Sequence, residues 1–327
     1  MHKDLILLLY RTNLSMPFNE FLQNVAASYP KIGNIISFQP IIEGYEDANI
    51  LLLTTTGKFV IKIFFKGRSK GNVESYIRIV EEAQKIGVPV AKLVAGVNGN
   101  LSYASKDKTP YYLTDFFDGK DFKNVTPTIE DMLQVTKYLA KLNTLTFPVV
   151  DCYDSWGNKN LIAEYEKNKE KLSPAQNETL VPIVEDVRRL DFSKFSVSII
   201  HGDMQRKHIL KDAKGKYCLL DFGCAANGPK VIELSTFLAW FCLGLFDNWV
   251  NRREIVSRVL AQYASVHHLT KYELAALPVL TYASYAAYYL KTCQLRREGD
   301  KSRETLEWYA ESGRMVALSR LAGRGKF

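Results

Sequence analysis

Residues 196–224 read SVSIIHGDMQRKHILKDAKGKYCLLDFGC, and this stretch decides the fold. Two apolar runs, Val197–Ile200 and Tyr217–Leu220, each end at an acidic tripeptide, His201-Gly202-Asp203 and Asp221-Phe222-Gly223. A polar loop, the short strand-like pair Ile209-Leu210 and a turn at Gly215 lie between them. A hairpin of the two runs is expected to bring Asp203 and Asp221 to the same end of neighbouring strands. Two carboxylates so placed suit phosphoryl transfer, in which one orients the hydroxyl nucleophile and the other holds Mg²⁺. Either tripeptide alone is equally an ordinary exit from a strand into a turn, because Asp and Gly are favoured there. Their ordered pairing points to chemistry.

Outward from this stretch the chain is β-rich before it and helical around it. The first 35 residues carry a helical pattern with Phe18, Phe21, Leu22 and Val25 on one face, broken by Pro30. Strands are expected at Ile35–Ile42, Ala48–Thr54 and Lys58–Phe65, the last two joined by a turn at Thr56-Gly57-Lys58. A helix is expected over Asn72–Ile86, closed by Gly87 and Pro89, followed by short strands at Lys92–Val97, Leu101–Ala104 and Tyr111–Thr114. From Thr128 onward the periodicity is mostly helical. The expected architecture is α+β and bilobal, with an N-terminal helical extension (1–35), a nucleotide-binding lobe (36–117), a helical lobe (118–327) and a site in the cleft between lobes.

Composition narrows the function classes. With 327 residues, 47% hydrophobic content, 12% aromatics and 11 prolines, the chain buries a large core and is not disordered. The net charge of +8 and pI near 9.0 permit nucleic-acid or anionic-membrane binding and equally suit an enzyme handling ATP. The basic residues are dispersed with no run of five, so no nucleic-acid partner is expected. The N-terminal apolar run of six residues lacks a cleavage site and does not read as a signal peptide. The longest uncharged stretch, Leu274–Leu290, contains Pro278, Thr281, Ser284 and four tyrosines and reads as a core helix, not a membrane span. Five scattered cysteines without a CxxC pair give no zinc or disulfide framework, and a cytoplasmic location is expected.

Lys62, inside the apolar run FVIKIFF, is either the outward member of an alternating strand or an ammonium directed at nucleotide phosphates. A lysine in the second role needs a carboxylate to hold it. The following helix offers Glu74, Glu81 and Glu82; the first two, seven residues apart, share a face and spacing does not separate them, while Glu82 points elsewhere. The loop Glu43–Asn49 between the first two strands is where backbone amides would close over phosphates, although one glycine also makes a plain hairpin.

These strings resemble the aminoglycoside phosphotransferase family, which includes choline, homoserine and methylthioribose kinases and has the protein-kinase-like fold. HGDMQRKHIL with LLDFG is similar to its HGDxxxxNxL…IDFG signature. FVIKIF, KIGVPV, YYLTDFFDGKDF, YLAKLNTL and ANGPKVIELSTFL resemble further segments of it. The resemblance implies an ATP-dependent kinase acting on a hydroxyl of a small molecule, with ATP and Mg²⁺, or Mn²⁺, as cofactors. It implies Asp203 as catalytic base or hydroxyl-orienting group, Asp221 as metal ligand, Lys62 on the α/β-phosphates and backbone groups near Asp115, Phe116 and Phe117 at the adenine edge. Glu74, thirteen residues before Gly87, is near where the family places the glutamate that pairs with the lysine. His201 braces the catalytic loop, and Glu233 is structural.

His208 stands where the family has Asn. It ligates the metal, is replaced by a neighbouring group or water, or marks a non-catalytic, nucleotide-binding or structural member of the fold. An imidazole suits Mn²⁺ better than Mg²⁺. Arg206 and Lys207 in the same loop either offset phosphoryl charge or belong to a solvated turn. The acceptor pocket is expected among Trp240, Phe241, Tyr282, Tyr285, Tyr289, Trp308 and Tyr309, most of which equally suit core packing. No dense acidic run appears in residues 231–327, which favours a metabolic alcohol, amino alcohol or sugar over an aminoglycoside.

Overall fold

Ile35–Ile41 (β1), Ala48–Thr54 (β2), Lys58–Ile63 (β3), Ser102–Ala104 (β4) and Pro110–Asp115 (β5) form an antiparallel sheet in the order β1-β2-β3-β5-β4. The computed structural model describes residues 3–42, 44, 46–244 and 249–321. In β2 the residues Ala48, Ile50, Leu52 and Thr54 alternate into the interior, as a half-buried strand requires. Their inward face meets α1 (Lys3–Leu9) and α2 (Phe18–Ser28), whose Leu5, Leu8, Phe18, Phe21 and Val25 join Ile61, Ile63, Tyr111 and Leu113 in one core. The N-terminal helices therefore belong to the same packed body as the sheet.

β3 stops at Ile63, earlier than expected, because the N–H of Phe65 goes to a side chain in place of a strand partner. Phe64 N–H donates to Pro110 O at 3.0 Å, and Phe65 N–H donates to the Asp47 carboxylate at 3.0 Å. The helix expected over 72–86 is α3 (Lys70–Lys85), opened by Ser69, whose hydroxyl and N–H exchange hydrogen bonds with Asn72. The strand expected at Lys92–Val97 is absent; Leu93 makes an isolated bridge to Thr114, and a 3₁₀ turn covers Val97–Gly99 with Asn98 at φ 58°. Left-handed backbone at Asn98 cannot continue a ladder.

The remaining elements are β6 (Lys120–Asp121), α4 (Ile129–Leu142), α5 (Leu161–Asn168), α6 (Pro174–Arg188), β7 (Val197–Ile200), β8 (Ile209–Lys211), β9 (Tyr217–Leu219), β10 (Ala226–Pro229), α7 (Lys230–Phe237), α8 (Trp249–Ala264), α9 (Lys271–Arg297) and α10 (Arg303–Leu321). α7 runs on into a π-helical segment over Leu238–Leu243. The α9 face Tyr285, Tyr288, Tyr289 and Leu290 packs in a core with Leu180, Ile183, Val184 and Val187 of α6, spaced for one helix stripe, and with Met315 and Val316 of α10. Thr128, Ser173 and Thr270 start α4, α6 and α9 with reciprocal capping boxes. No helix among the described residues is long and apolar enough to cross a membrane.

The two apolar runs of the opening stretch are not hairpin partners. β7 pairs antiparallel with β10, Ile200 facing Ala226, while β8 pairs with β9 across the Gly215 turn. The reason is that both edges of β7 are engaged, since Ile199 N–H also donates to Leu145 O at 2.8 Å. The chain divides into two compact units: Met1–Lys85 with Pro89–Lys120 and Leu210–Leu220, and Ile86–Val88 with Asp121–Ile209 and Asp221–Phe327. The β8–β9 turn thus groups with the sheet unit.

Phe21 is fully buried, with its ring edge-on to Tyr111 at 5.1 Å between centroids. Phe21→Ala is expected to destabilise the sheet unit by about 3–5 kcal/mol through lost burial and a cavity, read as a lower urea midpoint at unchanged slope.

Candidate active site

β7 delivers His201, Gly202 and Asp203 into a sharp turn. Gly202 has φ 82°, and a Cβ there would lie 2.6 Å from Cys224 O, so only glycine fits. The turn is held from below by Glu233 of α7, which has no exposed surface. Its Oε2 accepts the N–H groups of His201 and of Gly202, the latter at 3.3 Å. Burial pushes the Glu233 carboxyl up to about 7; the two N–H donors oppose this and Asp203 adds to it. His201 is also fully buried, lies tilted against Phe222 at 4.6 Å between ring centroids and accepts the Asp203 N–H on Nδ1 at 3.3 Å. That hydrogen bond requires an unprotonated Nδ1, so His201 acts as a brace.

Asp203 has two different oxygens. Oδ1 accepts from Gln205 Nε2 at 2.7 Å and from the Tyr288 hydroxyl at 2.9 Å. Burial, then the charge of Asp203, holds the Tyr288 phenol well above its ordinary value, so it stays a donor. Oδ2 lies 3.4 Å from His208 Nδ1. His208 Nδ1 is 2.9 Å from the main-chain oxygen of Asp203, an acceptor only, so Nδ1 carries the proton. In the neutral ring Nε2 then keeps its lone pair, 3.7 Å from Asp221 Oδ2. Asp221 stands in the left-handed region (φ 59°, ψ 68°), a conformation Asp tolerates better than most residues.

One carboxylate and one imidazole nitrogen therefore face each other across a short gap. Among the described residues no three His, Cys, Asp or Glu side chains converge on one point. The donor set fits a divalent cation that takes its remaining ligands from phosphate and water, the usual arrangement for Mg²⁺ at a nucleotide.

Arg206 and Lys207 are neither solvated nor spare. Arg206 Nη2 pairs with Glu311 of α10 at 2.7 Å and its Nε donates to Trp240 O at 3.2 Å. Lys207 Nζ pairs with Glu304 of α10 at 3.0 Å and lies over the Trp308 ring. Both cations tether the loop to α10.

Sequence reasoning missed Asp154, Trp156, Gln205 and Tyr288. Asp154 is buried, and its Oδ1 accepts Trp156 N–H at 2.8 Å. Burial, then the nearby charge of Asp203, lifts it to about 6. The Trp156 ring packs on Tyr288 at 5.0 Å. The only signal for Asp154 is the turn-forming string Asp154-Ser155-Trp156-Gly157, and Tyr288 is one tyrosine among several in α9. Of the expected acceptor aromatics, Trp240, Phe241 and Tyr285 are core residues; the Tyr285 hydroxyl is donated to Ala239 O at 2.7 Å.

The other expected site residues lie in the sheet unit. Lys62 is buried on the face of β3 opposite Ile61 and Ile63, with its Nζ 3.4 Å from Asp47 Oδ2. Glu74 does not pair with it. Glu74 is exposed and lies 3.6 Å from Lys70 Nζ, because α3 buries the stripe Val73, Tyr76, Ile77 and Val80 and turns position 74 outward. Of the expected phosphate loop, Glu43 and Tyr45 lie outside the described residues. Asp115 N–H and Phe116 N–H already donate to Lys92 O at 2.9 Å and Lys58 O at 3.1 Å, which narrows the adenine-edge expectation to the Phe117 amide and the carbonyl oxygens of the segment.

The model of the phosphotransferase enzyme family matches residues 37–269. The homoserine kinase of Methylobacterium radiotolerans is 24% identical over 263 residues, covering 76% of this chain and 77% of that enzyme. Among solved structures, an amicoumacin kinase in complex with AMP-PNP, Ca²⁺ and Ami is similar at a TM-score of 0.69 and 15% identity, covering 97% of this chain and 96% of that one. A microcompartment-associated aminopropanol kinase is similar at a TM-score of 0.67 and 15% identity, covering 93% and 99%. The fold is the protein-kinase-like fold of these enzymes.

The Glu233 carboxyl gives a pH test. In the unfolded chain it ionises near 4.5 and in the folded chain near 7. Between those values the folded state binds more protons, so stability falls as pH rises through the window. The full difference is roughly 3 kcal/mol. Glu233→Gln keeps an acceptor oxygen for the two N–H groups and is expected to remove that slope. Denaturant unfolding at pH 4.5, 6 and 8 checks it; equal slopes in both proteins count against the assignment.

Proposed function

The chain belongs to the phosphotransferase enzyme family and is a small-molecule kinase, and from that premise we propose that it transfers the γ-phosphoryl group of ATP, with Mg²⁺, to the hydroxyl of an amino alcohol. The observation that carries this reading is the arrangement of Asp203 and Asp221 on either side of His208. Asp203 Oδ1 is occupied by Gln205 and Tyr288, so Oδ2 is the oxygen that accepts the proton of the incoming hydroxyl and aims it. Asp221 and His208 Nε2 would hold the divalent cation. Bound there, the cation offsets the negative charge of the phosphates. Lys62 contacts the α/β-phosphates, and the Phe117 segment meets the adenine edge. The cytoplasm, where ATP is abundant, is the setting of this activity.

Asp154 supports the choice of acceptor. A buried carboxylate next to Asp203, walled by Trp156 and close to Tyr288, favours a ligand that brings its own positive charge. Homoserine and aminopropanol, the substrates named for two similar enzymes, each combine a hydroxyl with an amine. A plain alcohol or a sugar brings no charge for Asp154 to meet beyond that of Lys159.

ADP release assayed with ATP and a panel of amino alcohols, alcohols and sugars is expected to respond to the amino alcohols most strongly. Asp203→Asn should lower kcat by about 10²–10⁴ while leaving ATP affinity within about twofold. Asp154→Asn should raise KM for an amino alcohol by on the order of 10-fold or more without changing KM for its uncharged analogue. Retention of most turnover in Asp203→Asn would sink the mechanism.

His208→Asn exchanges a nitrogen ligand for an amide oxygen. The variant should bind ATP relatively better with Mg²⁺ than with Mn²⁺, compared with the unmodified protein. An unchanged ratio of the two affinities places His208 outside the metal shell.

A further inference from the structure

The strand lysine of a kinase fold needs a carboxylate to fix its head group, and in this chain the helix that follows does not present one. The α3 residue facing Lys62 is Tyr76, whose ring centroid is 5.4 Å from Nζ. The Tyr76 hydroxyl accepts from that of Tyr112 at 2.7 Å, and Tyr112 is the cross-strand neighbour of Lys62 in the β3–β5 ladder. Lys62 therefore has an aromatic floor on the helix side, and both tyrosines are buried.

The carboxylate comes from the opposite direction in sequence. Asp47, the residue before β2, is buried and lies with Oδ2 3.4 Å from Lys62 Nζ. It is not a floating surface group. Its Oδ1 accepts from Phe65 N–H at 3.0 Å and from Arg68 Nε at 3.2 Å, and Arg68 Nη2 reaches Oδ2 at 3.5 Å. Arg68 continues to Glu46 Oε2 at 3.1 Å. Two donors thus orient Oδ1, and Oδ2 faces the ammonium at 3.4 Å and the Arg68 Nη2 at 3.5 Å. A surface ion pair is worth little, but this one is shielded from water and fixed on the carboxylate side by hydrogen bonds.

We propose that Asp47, not a glutamate of α3, is the positioning residue that sets the Lys62 ammonium for nucleotide phosphates. The inference rests on the phosphate role given to Lys62 above. It has a structural consequence: the segment joining β1 to β2, pinned also by Arg11 Nη1 on Gly44 O at 2.6 Å, carries the group that aims the lysine. The turn and the ammonium are then coupled, so a change in one moves the other.

Asp47→Asn is close to isosteric and separates this role from simple packing. Two donors demand an acceptor at the Oδ1 position, so the amide oxygen stays there and the NH₂ group is forced toward Lys62. Full-length wild type, Asp47→Asn, Lys62→Met and the double variant are titrated by calorimetry with ATP plus Mg²⁺ and with adenosine. Asp47→Asn is expected to weaken ATP binding on the order of tenfold, to leave adenosine binding unchanged, and to add nothing in the Lys62→Met background. Asp47→Glu should recover part of the loss. Equal losses for ATP and adenosine, or a further loss on the Lys62→Met background, would overturn the inference in favour of a structural role. Loss in Lys62→Met alone overturns it while keeping Lys62 at the phosphates. Loss in neither variant removes the phosphate role of Lys62 and this inference with it.

Discussion

One buried carboxylate, Glu233, sits beneath the turn that carries Asp203, and the geometry of the acidic site depends on it. Peptide N–H groups in a turn with positive φ point into the protein, and without an acceptor each costs about 1–3 kcal/mol. Glu233 supplies that acceptor for His201 and Gly202 together. The cost of burying a carboxyl appears in its raised pKa, and the return is a backbone that cannot relax. Asp203 inherits its position from this arrangement, and His208 inherits its tautomer from the Asp203 carbonyl. The imidazole lone pair facing Asp221 is thus a consequence of hydrogen bonds made two steps away.

Charge distribution around the turn follows a second logic. The cations next to the site in sequence, Arg206 and Lys207, are committed to Glu311 and Glu304 of α10. Their use as tethers fixes the loop, and the Lys207 ammonium still acts electrostatically on Asp203 and Asp221. A negative bias remains between Asp154 and Asp203, and it adds to burial, the larger cause, in raising the Asp154 carboxyl. Such a bias favours cationic ligands entering on the acceptor side. Asp154 and Asp203 are 49 residues apart in the chain and meet only in space, so no run of acids in the sequence announces the pair.

Much of the fold was legible because period-2 and period-3.6 patterns report burial directly, as in β2 and in the Phe18, Phe21, Val25 face of α2. The tripeptides around Asp203 and Asp221 drew the eye as an ordered pair, since acid and glycine at a single strand end are ordinary turn chemistry. The pairing of β7 was not, since strand partners are chosen by free edges, and the β10 segment Ala226–Pro229 (ANGP) has almost no strand signature. Tyr288 and Gln205 were missed for a related reason. Their role is to occupy one oxygen of Asp203, and that role is set by rotation along α9 and by loop geometry, neither of which spacing encodes.

The partner of Lys62 shows where reasoning by helix face breaks down. Glu74 and Glu81 share a face of α3, so the choice between them rested on distance to Gly87 and not on which face meets the sheet. The apolar stripe Val73, Tyr76, Ile77 and Val80 decides that question, since a helix lying on a sheet must turn its hydrophobic side inward. Position 74 then lies at the margin and faces solvent, whatever its chemistry. Once the inward position opposite Lys62 is an aromatic ring, the buried ammonium needs a carboxylate from another element, because an unpaired charge there is prohibitively costly. Asp47, the residue before β2, supplies it at 3.4 Å. The same burial rule that rejects Glu74 therefore selects Asp47, and it was readable in the sequence only by asking which acids could become buried.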